Sequence, residues 1–133
     1  MRQKVLTGKE GVKTVFDMTL NNKEGVLRTA LVNKPLVYLV GDEYAKEYIQ
    51  KRTEADIHLK SLRFSEQDEE SNGNNKETRI APDGLELKTS FVIWDDNVAA
   101  IRVSEDITVF WTKDEAYADS IRNWYDFIWE QSK

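Results

Sequence analysis

The sequence has no cysteine, one histidine (His58), two prolines, and six glycines that never form a glycine-rich run. Without cysteine there are no disulfides and no thiolate metal sites, and a reducing, cytoplasmic setting fits the chain. One histidine excludes a two-histidine zinc site, and no G-x-S-x-G elbow exists to make His58 part of a hydrolase triad. No G-x-G-x-x-G or G-x-x-x-x-G-K occurs, so nucleotide phosphates find no backbone cradle. The longest apolar run, "LVYLV", is too short to cross a bilayer, and "MRQK" leads into no signal-peptide stretch, so no membrane association is expected. A basic excess is also lacking. Lys and Arg number 19 against 24 Asp and Glu, and a net charge of -5 disfavours direct binding to phosphate backbones.

What is present suits one folded domain spanning residues 1–133. Apolar residues make up 40% and aromatics 11%, and a chain of 133 residues buries about two-thirds of its unfolded surface. Lys9 to Leu20 places Val12, Val15, Phe16, Thr19 and Leu20 at helical spacing, with Thr7-Gly8 to start the helix and Asn21-Asn22 to stop it. Gly25 to Val32 reads as a strand, and Pro35 to Val40 as either a strand or the entry to a helix. Asp42 is placed as the N-cap of a helix running to Glu54, with Tyr44, Ala45, Tyr48, Ile49 and Arg52 on one face. Ile57 to Phe64 alternates as a half-buried strand. Ser65 to Glu77 contains no aliphatic or aromatic residue and reads as an exposed, mobile loop.

"SFVIW" and "VAAIRV" predict a hairpin through Asp95-Asp96-Asn97, whose side chains tolerate left-handed backbone, and Ile107 to Trp111 predicts another strand. Thr112 to Glu115 matches the capping box T-x-x-E ahead of a terminal helix. Its stripe of Tyr117, Ala118, Ile121, Trp124, Tyr125, Ile128 and Trp129 is expected to pack on the sheet. The fold class expected is α/β, with α+β as the alternative: a mixed sheet with flanking helices, mainly on one side.

Few groups offer chemistry. "DEESNGNNKETR" sets Asp68, Glu70, Asn72 and Gly73 at calcium-loop positions, but the required terminal carboxylate is replaced by Arg79, so no metal is expected. His58 reads as a surface residue. Glu77 and Arg79, two apart on an extended segment, point the same way; they either bind a ligand together or pair with other surface charges.

Three stretches, "GKEGVKTVF", "ETRIAPDG" with "TSFVIWDDNVAAI", and "DEAYADSIRNWYDFIWEQ", resemble the C-terminal regulatory domain of TrmB-like archaeal and bacterial transcription regulators. "YAKEYIQKRTEADIHLKSL" is similar to that family's helix with an arginine, followed by a strand. The resemblance implies a phospholipase D-like fold. Enzymes of that fold use H-x-K-x-x-x-x-D, in which the histidine attacks phosphorus and the lysine steadies the phosphoryl charge. Here the strand carries Lys88 in place of the histidine, Ser90 in place of the lysine, and Asp95 at the aspartate position. A second partial match, His58 and Lys60, ends in Ser65 where aspartate is needed.

The resemblance therefore implies a non-catalytic, effector-sensing and dimerisation domain, without metal or cofactor. Its expected ligand is a small-molecule effector, a sugar or phosphorylated metabolite, met by polar groups among Arg52, Glu77, Arg79, Lys88 and Ser90. A homodimer is implied, and DNA would be reached only through a fused or partner winged-helix domain. The alternatives are a small phosphodiesterase or nuclease using His58 with Lys60, and a protein-interaction module presenting the aromatic terminal helix around Trp124.

Overall fold

The computed structural model describes residues 1–32, 36–64 and 75–133. A seven-stranded mixed sheet forms the centre, in the order β1-β7-β6-β5-β2-β3-β4. The strands are β1 (Arg2–Thr7), β2 (Val26–Ala30), β3 (His58–Arg63), β4 (Lys76–Ile80), β5 (Ser90–Trp94), β6 (Asn97–Val103) and β7 (Ile107–Lys113). β2, β3 and β4 run parallel, and β5, β6, β7 and β1 add antiparallel pairs beyond β2. The helices are α1 (Gly8–Thr19), α2 (Asp42–Glu54) and α3 (Glu115–Glu130), with one 3-10 turn at Leu36–Leu39.

The alternation of strand side chains splits the core in two. On one face Leu27, Val92, Trp94, Ile101 and Val109 pack against Val12, Val15 and Phe16 of α1 and Ala45 and Tyr48 of α2. On the other, Ala30, Leu62, Ile93 and Val98 meet Ala118, Tyr125 and Trp129 of α3 alone. Helices thus lie mainly on one side, where α1, α2 and the 3-10 turn cover one face, while α3 covers part of the other. Polar contacts set the angle between α1 and α2, where the Tyr48 hydroxyl lies 2.6 Å from that of Thr19 and Tyr44 donates to Asp17 at 2.5 Å.

Several local expectations change. The segment after Leu36 is a 3-10 turn rather than a strand; Pro35 lies outside the described residues. Gly41, at φ 139°, is the N-cap of α2, and Asp42 is already helical, because only glycine takes that backbone without strain. Asp114, not Thr112, caps α3: its carboxylate accepts the Tyr117 N–H at 3.0 Å, while Thr112 stays in β7. β4 begins at Lys76, inside the expected loop, and the candidate calcium ligands Asp68, Glu70 and Asn72 with Gly73 lie outside the described residues. Trp124 stands 71% exposed, because only the Ala118, Tyr125 and Trp129 side of the stripe reaches the sheet. Among the described residues no helix is long and apolar enough to cross a membrane.

Candidate functional site

β5 lies within Lys88 to Asp95, the stretch set against the H-x-K-x-x-x-x-D motif, and its two ends differ in construction. At its start Ser90 is buried, and its hydroxyl accepts the Val32 N–H at 3.0 Å. Lys88, two residues earlier, is exposed. Ser90 shares the α1/α2 face with Val92 and Trp94, and Thr29, Ser61 and Arg63 are buried polar neighbours on that face of β2 and β3. Arg63, fully enclosed at the last residue of β3, was legible only as a break in the apolar pattern of "SLRF". The polar row therefore gathers where β2 and β3 end and β5 begins, the edge at which open sheets with parallel strands commonly place ligands.

At the far end Asp95 occupies the hairpin with φ 47°, a conformation aspartate tolerates. Its carboxylate accepts the Lys23 N–H at 3.0 and 3.1 Å and the Glu24 N–H at 2.9 Å. Its carbonyl accepts a close hydrogen bond from Arg122 of α3. Asp95 thus joins the hairpin, the loop before β2 and α3.

Of the other residues singled out by sequence, Arg52 is buried at the end of α2 and donates to Ile57 O at 3.1 Å and Asn75 O at 3.2 Å. Burial holds its guanidinium below the ordinary arginine value. Glu77 and Arg79 do form a pair, at 2.9 Å, on β4. Arg79 also donates to Trp129 O at 3.0 Å and stacks on the Trp129 ring at 4.7 Å, so it satisfies an end carbonyl of α3. Lys60 approaches the same ring at 5.6 Å. The structure brings Glu77 to Arg79 but does not gather all five residues into one cavity. A cleft of about 390 Å³ lies at the other end of β5, lined by Met1, Arg2, Asp96, Lys113, Asp114 and Glu115, and none of the five lines it.

His58 lies half-buried on β3, on the same side as Lys60 and Leu62; Ser65 lies outside the described residues. Among the described residues no group of three or more His, Asp or Glu is placed to hold a metal ion.

Sequence reasoning missed a buried ionic clasp. Arg28 of β2 faces α3, grips Asp126 at 2.9 and 3.3 Å, and donates to Glu24 at 2.9 Å. Burial lowers the Arg28 pKa, but the hydrogen bond and charge of Asp126, with those of Glu24, outweigh it and leave the value raised. Beside it Tyr125 places its hydroxyl 2.9 Å from Thr29 O and 3.0 Å from Lys60 O. The only hint in sequence was an arginine inside the apolar run "VLRTA".

With this geometry in place, comparison with solved structures is informative. The chain aligns over its full length with 54% of TrmBL2, an archaeal chromatin protein whose structure shows a novel mode of DNA binding, at TM-score 0.67 and 14% identity. It also aligns with NucT from Helicobacter pylori (98% of this chain, 97% of that one, TM-score 0.65, 11% identity). Nuc, a phospholipase D family member from Salmonella typhimurium, aligns over 99% of this chain and 97% of its own, at TM-score 0.61 and 10% identity. The chain has the phospholipase D-like fold. The expected fold class holds, and so does its relation to a TrmB-like protein at the level of fold. No family model and no curated protein sequence matches the chain. It spans about half the length of the TrmBL2 chain and nearly the whole of the NucT and Nuc chains.

Proposed function

We propose that this phospholipase D-like module is non-catalytic and serves as the effector-sensing and dimerisation domain of a TrmB-like transcription regulator. The observation that carries the reading is β5 itself. Phosphodiester cleavage by this fold needs an imidazole nucleophile and a lysine beside it. In their places stand an exposed Lys88 and a buried Ser90 whose oxygen is occupied by the Val32 amide. The third motif position, Asp95, holds a turn together.

In this reading a sugar or phosphorylated metabolite is met at the β5 start by Lys88, with Ser90 beneath it; Glu77 and Arg79 pair with each other on the α3 face of β4, away from that contact, and Arg52 fixes Asn75 at the beginning of β4. The module dimerises, and it affects DNA only through a fused or partner winged-helix domain. The fold shared with TrmBL2 supports this reading; the fold shared with NucT and Nuc is the reason to test for hydrolysis.

A thermal-shift screen against sugars and sugar phosphates is the direct test, since selective binding to the folded state raises its melting temperature. A hit lost in Lys88→Ala supports the proposal. In parallel, a chromogenic phosphodiester assay on wild type and His58→Ala is expected to show no histidine-dependent turnover. Turnover that disappears in His58→Ala would replace the sensor with a hydrolase.

A further inference from the structure

The two edges of the sheet are finished differently. At the β4 edge the Ala81 N–H points inward to Arg63 O, so strand alternation turns the Ile80 carbonyl outward, where it accepts the Lys133 N–H at 3.0 Å. The chain's own C-terminal tail thus covers part of that edge. β1, at the opposite edge, has β7 as its single neighbour among the described residues. Its six residues pair with β7 in unbroken register, with no bulge and no proline.

The ladder fixes which β1 groups are spare. Ser104 N–H donates to Asp106 O and Asp114 N–H to Asp96 O, so the even-numbered residues of β7 face β6 and the odd-numbered ones face β1. Lys113, Trp111 and Val109 therefore bond Arg2, Lys4 and Leu6, and the N–H and C=O groups of Gln3 and Val5 and the N–H of Thr7 point outward, while the Thr7 C=O, at the N-cap of α1, begins the helix ladder. Their side chains also sort by face. Val5, 63% exposed, lies opposite Phe110, 42% exposed, on the α3 side of the sheet. Arg2 and Lys4 project on the α1/α2 side, with Lys113 opposite Arg2, and neither Arg2 nor Lys4 has an ion pair among the described residues.

We infer that the β1 edge is a docking site for an extended protein segment in which acidic and apolar residues alternate, added as an eighth strand. The outward amides of Gln3, Val5 and Thr7 supply the hydrogen bonds, as in strand addition generally. A partner side chain opposite Val5 lies on its face and extends the apolar row begun by Phe110; one opposite Lys4 lies on the basic face and is favoured when acidic. Charge also decides against a second copy as occupant. A symmetric β1–β1 ladder would bring two sets of Arg2, Lys4 and Lys113 onto one face, and like charges across strands destabilise pairing. Asp96, Asp114 and Glu115 share the cleft with Arg2 and Lys113, so Lys4 carries most of the charge selectivity. This inference is independent of the effector proposal.

The test uses the full chain and a fluorophore-labelled peptide of alternating glutamate and valine, with alternating lysine and valine as control, read by anisotropy. The glutamate peptide should bind, the lysine peptide should not, and Arg2→Glu with Lys4→Glu should weaken binding at least about tenfold. Both residues are exposed, so this variant keeps the fold. Val5→Pro removes an outward N–H without costing a β7 bond and should also abolish binding. On peptide addition, amide exchange should slow at Gln3, Val5 and Thr7 but not at Lys4. Equal binding of both peptides, or affinity unchanged by charge reversal, overturns the proposal. So does concentration-dependent self-association, lost in Val5→Pro, without peptide binding, which would assign the edge to a second copy.

Discussion

The two ends of β5 are built differently. At the Asp95 end a carboxylate has three short contacts to backbone amides of the preceding loop, and its carbonyl receives Arg122. At the Ser90 end the position that carries lysine in the enzymes has become a small hydroxyl, folded into the β2 terminus by one amide. Aspartate survives where the fold uses it. Set against the phospholipase D-type motif, Lys88 and Ser90 stand at the histidine and lysine positions, and Ser90 is part of the packed interior. A degenerate motif thus separates residues that build a scaffold from residues that only react on it.

Five variants sharpen or break this contrast. The largest effect is expected from restoring the motif with Lys88→His and Ser90→Lys. An ammonium placed where the native side chain is 2% exposed should lower stability by about 3 kcal/mol or more, without generating phosphodiesterase turnover. Urea denaturation and a chromogenic assay measure both. A restored protein as stable as wild type would show that the Ser90 site still accommodates a charge and would break the comparison.

Asp95→Ala comes next. It removes charge-accepted amide bonds and puts alanine at φ 47°, a combined loss of about 2–3 kcal/mol. Asp95→Gly relieves the backbone strain and should recover part of that loss in the same denaturation experiment. Arg122→Ala releases the Asp95 carbonyl from α3 and should cost about 1 kcal/mol, because the side chain is partly solvated and its ion pairs are screened. Lys88→Ala should change stability least, by no more than about 0.5 kcal/mol, since an exposed side chain with no ion pair among the described residues contributes little to the folded state. Its effect should appear only in ligand binding.

Much of the fold was legible in the sequence. α1, β2, β3, β5, β6, β7 and α3 carry apolar periodicities strong enough to place them within a few residues. β1 and β4 were missed for one reason: an edge strand buries little, so "RQKVLT" and "KETRI" show no alternation to read. The caps of α2 and α3 shifted to Gly41 and Asp114 because several candidate cap residues adjoin each helix start and only the incoming chain direction selects among them. At the candidate site, Ser90, Lys88 and the Glu77–Arg79 pair were visible, whereas Arg63 and the Arg28–Asp126 clasp were not. An arginine within an apolar strand looks the same in sequence whether it is exposed or clasped by an aspartate 98 residues away.

The sequence by itself determined which segments bury apolar surface, that cysteine is absent and that His58 is the one histidine. Those are properties of local order and residue type. Tertiary structure alone decided that β1 and β4 are strands, that α3 has the second face of the sheet to itself, and that Asp95 holds the loop before β2. Each of these depends on the register of groups far apart in the chain, which is fixed only when the burial of both faces and the backbone hydrogen bonds are satisfied together.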